Sequence, residues 1–91
     1  MDETRIKNDT KIKIGTNIKR IRRQRKLKTS DLVIKVQLAG VDINIFVLDK
    51  IEANTQHIKA SQFRAIAEAL NVDCMELLKD TPSQENQSIN A

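Results

Sequence analysis

The sequence predicts a single all-α domain of five short helices. Its 91 residues leave room for one hydrophobic core, and a balance of 40% hydrophobic to 31% charged residues is typical of a folded globular chain. With two glycines and one proline, the chain lacks the turns that a β-sandwich or β-barrel requires. Its apolar residues instead recur at spacings of three and four, which is the periodicity of amphipathic helices.

The first two helices are predicted from two apolar stripes. Residues 15–26 form the first helix, which Thr16 or Asn17 can cap. The second helix opens within residues 28–31, where Thr29 or Ser30 can satisfy free backbone amides. The residues expected to face the core from these helices are Ile14, Ile18, Ile21, Leu32, Val33 and Val36.

The third helix follows a connection over residues 37–43, in which Gly40 is the residue able to adopt a positive φ. Asn44 is expected to cap this helix, which covers residues 45–53. Asn54 is expected to end it in the left-handed conformation. The side chains expected to face inward are Leu48 and Ile51, with Val47 beside them.

Two shorter helices close the domain. Ser61 is expected to cap a fourth helix over residues 62–70, which ends at Asn71, and Asp73 is expected to cap a fifth over residues 74–79. The side chains expected to face inward are Ile58 of the preceding loop, then Phe63, Ile66, Ala67, Leu70 and Leu77, with Met75 or Leu78 as a further candidate.

The two ends of the chain lack a helical period. Residues 1–13 are expected to form a flexible basic arm, although Lys11 to Ile14 alternate as a short edge strand would. Residues 14–79 form the helical domain. Residues 80–91 are almost entirely polar, a composition that cannot fold by itself, and are expected to form a disordered tail.

Composition argues against several classes of function. A single cysteine and a single histidine provide neither an intramolecular disulfide nor a zinc site, and 2% aromatic residues are too few for a base-stacking platform. Neither Cys74 nor His57 has the neighbours that catalysis requires. No enzyme activity, metal, cofactor or small-molecule substrate is therefore expected. The chain has no apolar run near the roughly 18 residues of a membrane span and no signal-peptide pattern, so a cytoplasmic location is expected.

Charge divides the chain into two parts. Residues 1–30 contain eleven Lys or Arg and three Asp or Glu, a formal charge of +8, whereas residues 31–91 carry −4. This division within one small domain favours a surface for a polyanion, for which nucleic acid is the usual candidate. The alternative at this point is a solvated helix whose cations keep the protein soluble.

A close pair formed by the second and third helices is the arrangement in which helix-turn-helix repressors present a helix to DNA. The supporting motifs are Ile14-Gly15-x-x-Ile18-Lys19-x-Ile21-Arg22, Leu27, Leu32, Asp42-Ile43, Leu48-x-Lys50-Ile51-Glu52, Ala65-Ile66-Ala67-Glu68-Ala69-Leu70-Asn71-Val72 and Glu76-Leu77-Leu78. In their order and spacing, residues 14–79 resemble the Cro/C1-type (XRE) helix-turn-helix family. The segment at residues 37–43 is similar to a subgroup with a longer connection between the helix pair.

The resemblance implies a lambda-repressor-like fold and a transcriptional regulator that binds double-stranded DNA. Because residues 14–79 offer limited surface for tight binding, a homodimer is expected, with contacts between copies most simply from the fifth helix and the segment after it. It also implies a core ion pair between Arg22 and Glu52, which orients the third helix. That helix would enter the major groove, and the base-contact candidates are Asn44, Ile45, Phe46 and Lys50. The phosphate-contact candidates are Lys11, Lys13, Lys19, Arg20, Arg23, Thr29 and Ser30.

The third helix departs from the family pattern. Members usually place polar or basic groups directly after the cap, whereas this chain has Ile45, Phe46 and Val47 there, followed by Asp49. Base edges are recognised mainly by bidentate polar groups, and apolar contact is reserved for thymine methyl groups. Three interpretations remain open. The apolar pair contacts T-rich sequence, the longer connection brings other residues to the groove, or the pair is an exposed patch that binds a protein.

The departure also keeps two other functions open. A protein patch at Ile45 and Phe46 would make the chain an antitoxin-like module or a repressor antagonist on the same fold. The basic N-terminal third alone would suit a nonspecific nucleic-acid chaperone, which would bind random and selected duplexes equally.

Overall fold

The computed structural model describes residues 5–6 and 13–79, and over these residues it confirms the all-α fold class with five helices. In chain order the elements are β1 (Arg5–Ile6), α1 (Ile14–Gln24), α2 (Thr29–Leu38), α3 (Ile45–Glu52), β2 (Ile58–Lys59), α4 (Ala60–Ala69) and α5 (Cys74–Leu77). The longest of these helices has 11 residues. Helices of this length are marginal in isolation, so tertiary packing and end contacts stabilise them.

One hydrophobic core lies among the five helices. α1 packs against α3 and α5, whereas α2 packs against α3 and α4, and α4 also meets α5. The side chains predicted to face inward are buried, and Val47 is half-buried beside them, as expected. Of the two further candidates of the fifth helix, Leu78 is half-buried and Met75 is 65% exposed. The buried apolar residues are Ile14, Ile18, Ile21, Leu32, Val33, Val36, Ile43, Leu48, Ile51, Ile58, Phe63, Ala65, Ile66, Ala67, Leu70 and Leu77.

Two of the predicted helix caps are confirmed. The Asn44 side-chain oxygen accepts a hydrogen bond from the Val47 amide at 2.8 Å, and the Asp73 carboxylate accepts one from the Met75 amide at 3.0 Å. Both residues have extended backbone conformations directly before their helices. They therefore satisfy amides that have no partner within the helix.

The predicted cap of the first helix is wrong. α1 begins at Ile14, so Thr16 and Asn17 lie inside its first turn rather than before it. Asn17 is fully buried, and its amide nitrogen is satisfied there because it donates to the carbonyls of Leu77 and Lys79, each at 3.0 Å. This side chain ties α1 to α5 instead of capping α1.

The predicted caps of the second and fourth helices are also wrong. At the start of each of these helices, the side chain at the third helical position accepts a hydrogen bond from the backbone amide of the residue before the helix. This contact is half of a capping box. The Asp31 carboxylate accepts from the Lys28 amide at 2.9 Å, and Gln62 Oε1 accepts from the Lys59 amide at 3.0 Å. The residues expected to be caps, which lie within the first turns instead, are Thr29, Ser30 and Ser61.

Helices α1 to α4 each end with a residue in the left-handed conformation. The φ values are +59° at Lys26, +85° at Gly40, +61° at Asn54 and +59° at Asn71. In each case the following amide donates to the carbonyl five residues earlier, which is the Schellman pattern. The predicted roles of Gly40, Asn54 and Asn71 are confirmed, whereas the first helix ends at Gln24, before the turn at Lys26.

A two-stranded antiparallel sheet joins the predicted basic arm to the domain. Arg5 of β1 pairs with Lys59 of β2, and Ile6 pairs with Ile58. The sequence does not predict this pairing, because two residues carry no recognisable periodicity. Ile14, at the end of the alternating segment, is the first residue of α1 rather than part of a strand. The rest of the arm, with Lys11, and residues 80–91 lie outside the described residues.

The start of α1 meets the end of α3 at Gly15. A Cβ atom at this position would overlap the backbone carbonyl of Ile51, so glycine is required for the close approach. The Gly15 amide donates to the Asn54 side-chain oxygen at 3.0 Å, and the Asn54 side-chain nitrogen donates to the Thr16 hydroxyl at 2.8 Å. One asparagine therefore ends α3 and also caps α1.

Replacing Gly15 with Ala is expected to lower the free energy of unfolding by about 3 kcal/mol, because the new methyl group forces α1 away from α3. Gly40→Ala is the matched control. A Cβ there meets no atom within 4 Å, so its cost is the strain of the positive φ, about 1–2 kcal/mol. Urea denaturation followed by circular dichroism measures both. Equal losses in the two variants would contradict the close approach.

Candidate nucleic-acid interface

Two glutamines hold the connection that leads into α3. The Gln37 side chain donates to the Ile43 carbonyl at 2.9 Å, and the Gln62 side chain donates to the Asp42 carbonyl at 3.3 Å. Ile43 itself is buried in the core. These hydrogen bonds attach the connection to α2 and α4 directly before the Asn44 cap, and they hold the start of α3 in a defined position.

Arg22 of α1 and Glu52 of α3 form the ion pair that the family resemblance implies. Arg22 Nε donates to Glu52 Oε2 at 2.7 Å and Arg22 Nη2 donates to Glu52 Oε1 at 3.0 Å, while Nη1 donates to the Leu27 carbonyl at 2.7 Å. Both charged residues are buried. The hydrogen bonds to Glu52 raise the pKa of the Arg22 guanidinium against the opposing effect of burial, and the negative charges of Glu52 and Asp49 add to the rise.

Four exposed residues of α3 form two rows, which we call the outward face of α3. Ile45 and Asp49 lie four residues apart in one row, and Phe46 and Lys50 lie four residues apart in the other. Asp49 is three residues before Glu52 and close enough to Arg22 for its charge to raise the pKa of that residue. The Ile45–Asp49 row therefore borders α1, and the Phe46–Lys50 row lies farther from it.

The base-contact candidates are all accessible. Phe46 is 78% exposed and Ile45 is 43% exposed, so neither side chain points into the core. Lys50 and Asn44 are exposed as well. The Asn44 oxygen, however, is engaged by the Val47 amide, so the cap leaves the amide nitrogen for an external partner.

The phosphate-contact candidates of α1 fall on two sides of that helix. Lys19 and Arg23 follow Gly15 at intervals of four residues, so they continue the stripe of α1 that meets α3, and both are exposed. Arg20 Nη2 instead lies 3.5 Å from the oxygen of Asn17, on the side that meets α5. Lys19 and Arg23 therefore lie toward the side of α1 that meets α3, whereas Arg20 lies toward α5.

The remaining phosphate-contact candidates lie at the starts of helices. Lys13 directly precedes α1 and is half-buried, and Thr29 and Ser30 are half-buried at the first two positions of α2. Lys28, directly before α2, is an exposed cation that the predicted set omits. Its place beside the positive end of a helix dipole is a sequence signal that could have identified it.

Two exposed apolar residues of α2 are also absent from the predicted site. Ile34 is 53% exposed and Leu38 is 83% exposed. They lie four residues apart, on the side of α2 opposite its buried stripe. The sequence could have identified them as exposed apolar residues. Both positions are apolar, but neither belongs to the inward-facing stripe of α2 that begins at Leu32.

The described part of the chain has neither a metal-binding cluster nor a membrane-spanning helix. Within residues 5–6 and 13–79, no group of three or more His, Cys, Asp or Glu side chains is arranged to hold a metal ion. None of the helices in the same residues is both long and apolar enough to cross a membrane. Cys74 is half-buried at the start of α5, where it packs against the core.

No protein-family model, curated protein or solved structure matches this chain. The resemblance to the Cro/C1-type family therefore rests on the residues and spacings of the sequence alone, and it stays a prediction. Function is inferred from the geometry of α1 and α3 and from the charges around them.

Replacing Glu52 with Leu is expected to lower the free energy of unfolding by about 3–5 kcal/mol, because Arg22 would stay buried without its partner. The double variant Arg22→Met/Glu52→Leu is expected to lose less, since no buried charge remains. Glu76→Ala is the matched control, because it removes the carboxylate of an exposed ion pair with Lys79. Exposed ion pairs contribute less than about 1 kcal/mol to the free energy of unfolding. Urea denaturation of the four proteins tests this; a Glu52→Leu loss as small as the control's would contradict it.

Proposed function

We propose that this protein is a DNA-binding transcriptional regulator of the Cro/C1 type, which inserts α3 into the major groove of double-stranded DNA. The observation that carries the proposal is the exposed outward face of α3, which contains Lys50, together with the exposed Lys19 and Arg23 of α1, the helix that packs against α3. Helix-turn-helix proteins place one helix on base edges while neighbouring elements contact the phosphates. The positions of these cations around α3 support that mode of binding.

The charge distribution supports the same proposal. Residues 10–30 contain nine Lys or Arg and no Asp or Glu, and this stretch includes all of α1 and the start of α2. Cations in this position neutralise phosphates and release counterions. Asp49 is the one carboxylate that opposes them on the outward face of α3.

We propose further that the protein acts in the cytoplasm as a homodimer. Residues 14–79 offer limited surface to DNA, and two copies on a pseudo-palindromic site double it. The exposed Met75 supports contact between copies through α5 and the segment after it. Half-sites about one helical turn apart, roughly 34–36 Å, would match such a dimer. The proposed function requires no cofactor, metal or small-molecule substrate, and no enzymatic step.

A protein-interaction module is the second candidate function. The exposure of Phe46 and Ile45 favours it, because large exposed apolar groups often mark partner sites. The exposed Ile34 and Leu38 lie on α2, outside the outward face of α3, and are not needed for this candidate function. An antitoxin-like module or repressor antagonist would cover the outward face of α3 with another protein instead of DNA.

The affinity for duplex DNA is expected to fall as the salt concentration rises. Lys50→Ala or Arg23→Ala is expected to reduce the slope of log association constant against log salt concentration by about one for each phosphate that is no longer neutralised. Arg64→Ala is the matched control, because Arg64 is an exposed cation on α4, which packs against α2 and α5 rather than α3. Fluorescence anisotropy with a duplex selected from a random library measures the slopes. Binding independent of salt, or equal slopes in all variants, would contradict the proposed phosphate contacts.

Replacing both Ile45 and Phe46 with Ser separates the two candidate functions. A regulator loses sequence-specific affinity, because the groove-facing contacts disappear, but keeps salt-dependent binding to any duplex. An interaction module keeps its DNA affinity and loses its protein complex. Selection from a random duplex library and a pull-down, performed in parallel, distinguish the outcomes. Leu38→Ser is the control for a general effect of reduced surface hydrophobicity, since Leu38 is exposed but lies outside α3.

A further inference from the structure

We infer that the outward face of α3 selects its DNA sites through the C5-methyl groups of pyrimidines, contacted by Phe46 with Ile45. In unmodified DNA the methyl-bearing base is thymine. The inference rests on the proposed function and specifies it further. It assigns sequence choice to an apolar contact at the first turn of α3 rather than to bidentate hydrogen bonds.

The hydrogen-bonding groups at the start of α3 are largely engaged by the fold. Asparagine recognises adenine with its side-chain oxygen and nitrogen together. The Asn44 oxygen already accepts the Val47 amide at 2.8 Å, so bidentate pairing with adenine would have to share this oxygen with the cap and keep the side-chain orientation that the cap imposes. The next two residues, Ile45 and Phe46, carry no polar side-chain atom. The uncommitted hydrogen-bonding groups of the Asn44, Ile45 and Phe46 side chains are therefore mainly the two N–H donors of the Asn44 amide nitrogen.

The second turn supplies two single charges. Lys50 is a point charge that can donate to guanine or to a phosphate, without the fork geometry of arginine. Asp49 can only accept, so the base edges it suits are the amino groups of cytosine and adenine. These two residues restrict the bases beside the first-turn contact, but neither side chain offers a matched donor and acceptor pair.

Phe46 is the more exposed of the two apolar residues on this face, at 78%. Among the unmodified bases, thymine alone presents a methyl group in the major groove. Packing Phe46 against that methyl group removes apolar surface from water on both partners and leaves the hydrogen-bonding groups of the base accessible. A cytosine that carries a C5-methyl group offers the same contact.

The surrounding charges favour DNA over an apolar protein surface as the occupant of this face. Lys19 and Arg23 are exposed on α1, which packs against α3, and Lys50 lies in the row with Phe46. Covering these cations requires a partner with anionic groups within about a helical turn of an apolar contact. Thymine methyl groups flanked by phosphates meet that requirement.

The test uses the full-length protein and duplexes selected from a random library. Each thymine of a selected duplex is replaced in turn by deoxyuridine, which removes the methyl group but keeps the hydrogen-bonding pattern. We expect about a fourfold loss of affinity for each contacted methyl group, the equivalent of one buried methylene. At the same positions, a 5-methylcytosine–guanine pair is expected to bind better than an unmodified cytosine–guanine pair. Phe46→Ser is expected to abolish both differences, whereas Phe46→Leu, which keeps an apolar side chain, is expected to retain them.

The outcomes separate this inference from the function on which it rests. Methyl sensitivity that disappears in Phe46→Ser supports the inference. Sequence-specific binding that is equal for thymine and deoxyuridine overturns the inference. Methyl sensitivity that persists in Phe46→Ser overturns it too. Both results leave the proposed regulator function intact. The absence of any sequence-specific duplex, together with capture of a protein through Ile45 and Phe46, overturns both.

Discussion

The contact between the start of α1 and the end of α3 determines which residues the molecule presents. Gly15 allows the two backbones to meet at Ile51, and the Arg22–Glu52 pair joins the same helices about two turns farther along α1. The first contact fixes the distance between the helices, and the second fixes the rotation of α3. Because consecutive helical residues differ by about 100°, a shift of one position would move Phe46 either to the place of Ile45 or to the half-buried place of Val47.

Several polar uncharged side chains among the described residues bond to the backbone. Asn54 joins α3 to α1, Asn17 holds two carbonyls of the α5 region, and Asn44 caps α3. Helices of four to eleven residues need such contacts, because they cannot form stably alone. Groups that would otherwise be suited to base recognition are consequently engaged, and the outward face of α3 retains apolar and charged side chains for a partner.

The sequence predicted the features of the structure that are determined by residues close together in the chain. The inward stripes follow from helical periodicity, and Gly40 and Asn54 end helices because few residue types adopt a positive φ. The predicted caps failed where the competing contact is distant in sequence, as for Asn17 with Leu77, or where a third-position side chain bonds back, as for Asp31. Within the candidate site, sequence predicted which residues of α3 lie outside the core. The separation of Arg20 from Lys19 and Arg23 depends on the position of α5, which periodicity does not specify.

Under the proposed function, recognition through apolar contacts would make pairing of two copies important for specificity. One methyl contact discriminates by a few-fold only, less than a bidentate hydrogen-bonded pair. Two identical half-sites would multiply this small factor, while the cations of α1 would provide affinity that does not depend on sequence. The proposed contact through Phe46 is therefore suited to short sites that are used in symmetric pairs. The proposed methyl contact and the proposed dimer thus depend on each other, because weak selection by each copy would become effective only when two copies bind together.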